Sequence, residues 1–423
     1  MKTSEKDKKF IWHPFTQMKT SPLPINIVKG KGALIYDENG KSYIDAISSW
    51  WVNIHGHCNE QIQQAINTQL KELEHVIFSG FTHKSAADLS EKLISIMPEN
   101  QQKIFFSDNG STAVEVALKL VIQYWHNQKI NRKGFISFEN AYHGDTFGAM
   151  SVGEKSVFSA PFSNYFFESY RIALPNENNI DSILERIEQI IINKKPAGFI
   201  FEPMVLGAGG MLMYEPEHLD LILKLCQKHN IITIADEVMT GFGRLGKNFA
   251  SDFLSVKPDI ICLSKGITGG FLPLGATTCT EQIYDAFYSE DITKTFFHGH
   301  SYTANPLSCS AACASLSLLL SEPCQTDIMR VTNNHQRFLN KLQTNTKTKN
   351  IRQKGTILAF DVITNEKDGY TNNIKQYLSE FFLKNNVLLR PLGNTVYILP
   401  PYCITDKELE TVYDVILKAF DGL

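Results

Sequence analysis

Two apolar runs in this chain end in groups that could do chemistry together. Ile231-Ile-Thr-Ile-Ala closes on Asp236 and Glu237, and Asp259-Ile-Ile-Cys-Leu closes on Ser264, Lys265 and Gly266. Taken singly, each reads as a strand leaving the core for solvent. At neighbouring strand ends the pair has a definite use. A desolvated lysine amine condenses with an aldehyde, and a carboxylate keeps a pyridine nitrogen protonated so that the ring becomes an electron sink. A third segment, Phe106-Ser-Asp-Asn-Gly110-Ser111-Thr112-Ala-Val-Glu115, passes from strand through a polar turn into a helix. Gly110 allows close approach, and the free N–H groups of a helix start attract an anion. Thr112 and Glu115 have the spacing of a capping box. The Gly-x-x-x-x-Gly-Lys pattern is absent, so a single phosphate ester suits the turn better than a triphosphate. Tyr142, in Asn140-Ala-Tyr142-His143-Gly144-Asp145, follows another strand and could stack on a ring or simply pack. Gly207-Ala-Gly-Gly210 is too short for a dinucleotide fingerprint. His298 and His300 precede Cys309 and Cys313 at a spacing that fits no usual ligand set, so no metal is expected.

These residues need elements that bring them to one place. Apolar runs predict strands over 103–106, 135–138, 198–201, 231–235 and 259–263, and amphipathic stretches predict helices over 112–125 and 216–229. Strands that are apolar throughout and alternate with helices argue for an α/β fold with a mostly parallel sheet covered on both faces. Ligands then gather at the carboxyl ends of the strands, where residues 107–111, Tyr142, Glu202, Asp236 and Lys265 all fall. The chain divides into an N-terminal segment 1–50 with a hairpin (33–36, a turn at Asp37–Gly40, then 41–44), a large cofactor-binding unit 51–305 and a smaller C-terminal α+β unit 306–423. Its 423 residues carry 41 basic and 44 acidic side chains, a formal charge of −3 that speaks against nucleic-acid or membrane-surface partners. The first nine residues are polar and lead into no apolar stretch, which together with eight scattered cysteines lacking any Cys-x-x-Cys pair points to a cytoplasmic protein with reduced thiols.

Ala235-Asp236-Glu237-Val, Gly241-Phe-Gly-Arg244, Pro258-Asp259 and Ser264-Lys265-Gly266 together resemble the class III, or omega, aminotransferases of pyridoxal-phosphate (PLP) fold type I. The resemblance runs over nearly the whole chain. It implies a large domain with a mostly parallel seven-stranded sheet flanked by helices, a small α+β domain from both chain ends, and a homodimer with shared active sites. It also implies PLP as a Schiff base on Lys265, which shuttles the proton, with Asp236 on the pyridine nitrogen and Tyr142 against the ring. Gly110 and Ser111 would hold the phosphate, joined by Ser301 of the Gly299-His300-Ser301 segment from the partner subunit.

The chain ends are more discriminating. Ile11-Trp-His-Pro-Phe15, Ser48-Ser-Trp50-Trp51 and Leu389-Arg390-Pro-Leu-Gly-Asn-Thr-Val-Tyr397 resemble the adenosylmethionine-8-amino-7-oxononanoate aminotransferase branch, which makes a biotin precursor. That implies S-adenosylmethionine and 8-amino-7-oxononanoate as substrates, with Phe15, Trp50, Gly299 and Tyr397 lining the pocket and Arg390 clamping a carboxylate. Trp50 and Trp51 could equally be core, and Arg390 a surface ion pair. Phe15 and His300-Ser301 depart from the usual tyrosine and Pro-Thr, and both variants also resemble enzymes that take the amino group from lysine. Other omega-aminotransferases acting on ornithine, acetylornithine or 4-aminobutyrate, an aminomutase, and a non-catalytic PLP-binding protein are the remaining readings.

Overall fold

The structure, a computed structural model, describes residues 1–422. Its centre is a seven-stranded sheet in the order Lys103–Ser107, Gly275–Cys279, Ile260–Leu263, Ile232–Asp236, Gly198–Phe201, Phe135–Phe138, Ser169–Ile172. Gly275–Cys279 alone runs antiparallel to its neighbours. All five strands expected from apolar runs are present within a residue at each end. Ser169–Ile172 and Gly275–Cys279 were not foreseen individually, since one is a polar edge strand and the other is built of small residues.

The apolar runs are apolar throughout because both faces are buried. Along Ile260–Leu263, Ile261 and Leu263 enter one core cluster while Ile260 and Cys262 enter another. Gly198–Phe201 alternates likewise, with Phe199 and Phe201 on one side and Ile200 on the other. Helices Lys84–Ile94, Ile180–Lys194 and Pro216–Lys228 cover the first face, and Gly110–Asn127 covers the second. Pro306–Leu319, at the head of the segment assigned to the C-terminal unit, also buries Cys309, Ala312, Leu316 and Leu319 in the first of these clusters. No single helix among the described residues is long and apolar enough to cross a membrane.

The expected hairpin is present as Leu34–Asp37 and Ser42–Asp45, with Leu34 opposite Ile44 and Tyr36 opposite Ser42. Gly40, at φ 81°, makes the reversal possible. This N-terminal sheet is completed from the far end of the chain, because Val387 and Leu388 pair in parallel with Ile44 and Asp45. Capping of Gly110–Asn127 differs from expectation. Asn109, not Thr112, is the N-cap: its Oδ1 accepts from the Thr112 amide at 3.0 Å and the Thr112 hydroxyl accepts from the Asn109 amide at 3.1 Å. The helix therefore starts earlier, and Glu115 instead accepts from the amides of Gly148 and Ala149 at 2.7 and 3.2 Å.

Immediately after the hairpin, Ser48, Ser49, Trp50 and Trp51 take φ values of 50°, 44°, 70° and 76°. Four consecutive left-handed residues with Cβ atoms cost roughly 4–8 kcal/mol. Asp45, fully buried, holds the turn: Oδ1 accepts from the Ser49 amide at 2.9 Å, and Oδ2 accepts from the Ser49 hydroxyl at 2.7 Å and faces His57 Nε2 at 2.9 Å. Ser48 donates to the Leu399 carbonyl at 2.8 Å. Asp45→Ala should lower unfolding free energy by roughly 2–4 kcal/mol, read from the denaturant midpoint, because it leaves buried donors unpaired and a strained turn unsupported. A change below about 0.5 kcal/mol, the scale of an unremarkable surface substitution, would contradict this account of the turn.

Candidate active site

Strand register sets the site. Ala235 lies opposite Phe201, so the next residues, Asp236 and Glu202, leave adjacent strands at the same level. Asp236 lies opposite Cys262, which places Lys265 just beyond the neighbouring strand end, where the chain reverses into the antiparallel strand. Lys265 itself has a left-handed φ of 50°, a strained backbone for a residue with a Cβ. A cavity of about 690 Å³ opens over these ends, lined among others by Gly110, Ser111, Tyr142, Asp236 and Lys265. Phe15, Trp50, Arg390 and Tyr397 line the same cavity. Gly299, His300 and Ser301 do not: in the single chain they lie away from it, where His300 Nδ1 accepts from the Tyr302 amide at 3.2 Å.

Lys265 Nζ stands 4.5 Å over the Trp51 ring. Burial lowers its pKa to about 8, against the opposing charges of Asp236 and Glu202. Asp236 Oδ2 lies 2.8 Å from His143 Nδ1, and Oδ1 accepts from the Val238 amide at 3.1 Å. Glu202 accepts from the Tyr142 amide at 3.0 Å and the Gly207 amide at 2.9 Å. Burial raises its pKa to about 7, with the His143 charge opposing and Asp236 reinforcing. The Tyr142 hydroxyl is pushed up by burial and by a hydrogen bond to Asp145. Ser111 Oγ accepts from the Asp145 amide at 3.2 Å, and Gly144 packs so closely that a Cβ there would sit 2.1 Å from that oxygen.

The walls are aromatic. Trp51 donates through Nε1 to the Tyr397 hydroxyl at 3.1 Å. Phe15 meets Trp50 and Phe158 edge-on, at 5.6 and 5.8 Å between centroids. Arg390 is not a surface ion pair. Its guanidinium lies 4.0 Å over Trp50, and no carboxylate among the described residues pairs with it. Arg244, at 1% exposure, donates to the carbonyls of Pro400 (2.8 Å) and Trp51 (3.2 Å), so it braces the site from behind. Sequence reasoning gave no role to His143, though it adjoins Tyr142, or to Glu202 beyond its strand-end position. Phe158 and Tyr370 come from loops that carry no signal.

This arrangement fits PLP. A low-pKa amine and a carboxylate stand at neighbouring strand ends, a capped helix start offers its first amides, and an aromatic ring, Tyr142, lines the same cavity. The pattern described as Aminotransferase class-III matches residues 15–420. The chain belongs to the class III aminotransferase family. The family is PLP-dependent, so the expected fold class and cofactor hold. Among curated proteins, the chain is similar to the adenosylmethionine-8-amino-7-oxononanoate aminotransferases of Synechococcus elongatus (46% identity, 98% of this chain and 99% of that one) and Staphylococcus aureus (37% identity, 99% and 97%). Among solved structures it is similar to the enzyme of that name from Methanocaldococcus jannaschii, with TM-score 0.93, 34% identity and coverage of 99% and 98%. An omega transaminase from Pseudomonas jessenii in complex with PMP superposes with TM-score 0.93 at 26% identity, covering 100% and 98%.

Two outcomes follow from the shifted groups. The rate at which cofactor-stripped enzyme forms a Schiff base with added PLP should rise with pH and level off above about 8, the pKa of Lys265; a rise continuing towards the ordinary lysine value near 10.5 would contradict the desolvated amine. For Glu202 the folded state favours the protonated carboxyl, so its stabilising effect is whole below 4.5 and is lost as pH climbs through about 7. Melting temperature of Glu202→Gln relative to the parent should therefore increase by roughly 2–6 °C between about pH 5.5 and 8.5. A difference that stays flat with pH would refute the raised pKa.

Proposed function

We propose that this enzyme transfers an amino group from S-adenosylmethionine to the keto carbon of 8-amino-7-oxononanoate, giving 7,8-diaminononanoate for biotin synthesis. The observation that carries the acceptor is Arg390, a guanidinium without an acidic partner among the described residues, at the end of an apolar wall made by Trp50 and Phe15. An acceptor with a long methylene chain and a terminal carboxylate matches that wall and that charge. Near-full-length similarity to proteins named for this reaction supports the same reading.

When bound, PLP supplies an aldehyde that condenses with amines and a ring that delocalises the electrons left by proton loss. Asp236 keeps the ring nitrogen protonated, and the His143 contact fixes its orientation. Gly110 and Ser111 hold the phosphate at the helix start, with Ser301 of a second copy completing that cradle in a homodimer. Tyr142, in the cavity lining, would lie against the ring. Lys265 Nζ, neutral in a useful fraction near pH 8, would be the base that takes the proton from the donor's Cα. In the second half of the cycle it moves the proton the other way, onto the acceptor. Trp51, 4.5 Å from Nζ, covers it, and Trp50, Phe15 and Tyr397 line the cavity beyond.

Phe15 supports one second reading, with lysine as donor: the cavity wall there has no hydroxyl to offer the bound substrate. Purified enzyme supplied with 8-amino-7-oxononanoate should make diaminononanoate with adenosylmethionine, and Lys265→Ala should lose at least about 10⁴-fold in rate together with the Schiff-base absorbance. Product with lysine only would move the assignment to the second donor; product with neither, alongside turnover of ornithine or 4-aminobutyrate, would overturn it.

A further inference from the structure

Arg390 does not stand alone at the end of its apolar wall. Tyr397, 1% exposed, accepts from Trp51 Nε1 at 3.1 Å. That is the only hydrogen bond of its hydroxyl among the described residues, so the phenol's own hydrogen has no acceptor there. Burial pushes this hydroxyl up to about 12, eased by Trp51 and the Arg390 charge, while Asp45 and Tyr370 act in the same direction as burial. Arg390 and Tyr370 are thus both within electrostatic reach of one buried hydroxyl, and all three residues line the main cavity.

Tyr370 comes from the loop between Ile357–Val362 and Ile374–Lys384, yet that loop is fixed to the segment carrying Arg390. Gly393, three residues after Arg390, has a φ of 66°, and a Cβ there would run into the Gly369 carbonyl and lie 2.9 Å from Tyr370 Cα. Buried Asn394 accepts from the Gly369 amide at 2.9 Å and donates to the Val362 carbonyl at 3.1 Å and to Asp368 Oδ1 at 2.8 Å. The Asn372 amide donates back to the Gly369 carbonyl at 3.0 Å. The ring is held too. Phe158 meets it edge-on at 4.7 Å and 79°, and Lys375 Nζ stands 4.1 Å from its centroid. Its hydroxyl makes no hydrogen bond among the described residues. Phe158 also meets Phe15, which meets Trp50, so Tyr370 ends a row of four aromatic side chains and carries the only phenol in it.

We propose that Tyr370 is a further specificity-determining residue, whose hydroxyl joins that of Tyr397 in donating to the acceptor's terminal carboxylate on Arg390. The proposal rests on the acceptor reading above and adds how the chain end is recognised. A carboxylate offers about four lone-pair positions. A guanidinium fork fills two of them, and the two phenols supply donors for the rest. A neutral chain end offers weaker acceptors and leaves the desolvated donors poorly paired, so the cluster selects an acid over an ester or an alkyl ketone. Phe15 leaves its part of the wall without a hydroxyl, and Tyr370 brings one from a distant loop.

The two half-reactions of the cofactor-loaded enzyme test it separately, with conversion of the cofactor between its aldehyde and amine forms followed by absorbance. In Tyr370→Phe, half-saturation for 8-amino-7-oxononanoate should rise about tenfold, the loss expected for one hydrogen bond to a charged group, with the maximal rate within about twofold. The donor's carboxylate adjoins its reacting carbon, whereas the acceptor's lies at the far end of a methylene chain, so the donor half-reaction with adenosylmethionine should keep its half-saturation. The methyl ester of the acceptor should bind the parent weakly, and Tyr370→Phe should weaken it by no more than about twofold further, since the charge that the hydroxyl serves is gone. An unchanged acceptor half-reaction, equal losses in both half-reactions, or equal losses with acid and ester would overturn the role of Tyr370 and leave the acceptor reading intact. A parent enzyme that runs the donor half-reaction but not the one with 8-amino-7-oxononanoate would sink the acceptor reading, and the role of Tyr370 with it.

Discussion

One amine and two carboxyl groups share the carboxyl ends of three adjacent strands, in a space from which water is largely excluded. That shared desolvation is what the rest of the site depends on. An ammonium at Lys265 is disfavoured by burial and favoured by Asp236 and Glu202, and the balance leaves its pKa at about 8. The carboxyl groups are kept distinct by their partners. Asp236 has a histidine and an amide, whereas Glu202 has two amides and is pushed up to about 7 by burial.

Much of the supporting structure exists to keep that arrangement still. Arg244 ties the Pro400 and Trp51 carbonyls together beneath the cavity, so the C-terminal segment and the left-handed turn move as one piece. The turn presents Trp51 to Lys265 and Trp50 to Arg390 from successive positions. Asp45 and Ser48 supply the hydrogen bonds that offset its strain.

The central sheet was legible in the sequence because burial on both faces removes the polar alternation that blurs strand signals. Asp236, Lys265, Tyr142 and the Gly110-Ser111 turn were legible for a related reason: each follows directly on such a run. What escaped has weaker local signals. Gly275–Cys279 is a strand of small residues in the sheet interior, and Ser169–Ile172 lies at the edge, half-exposed. The capping residue was misplaced because Asn109 and Thr112 both satisfy helix-start rules, and only the three-dimensional partner of Glu115, the Gly148 turn, decides between them. Phe158 and Tyr370 meet across some two hundred residues of sequence, a coincidence that no local pattern announces. Family resemblance, not spacing, carried Arg390 and Tyr397 to the cavity.

The pairing of Val387 and Leu388 with Ile44 and Asp45 also bears on how the chain comes into being. The hairpin that precedes the Trp50–Trp51 turn emerges from the ribosome early, but the strand that completes its sheet emerges about 340 residues later, a wait of roughly 20–70 s at ordinary synthesis rates. Until then Ile44, Ala46 and Ile47 have no core to enter, since their cluster is built largely from residues beyond 330. The strained turn has nothing to brace it over the same interval. The sheet that precedes the Trp50–Trp51 turn is therefore completed only after most of the chain has been made.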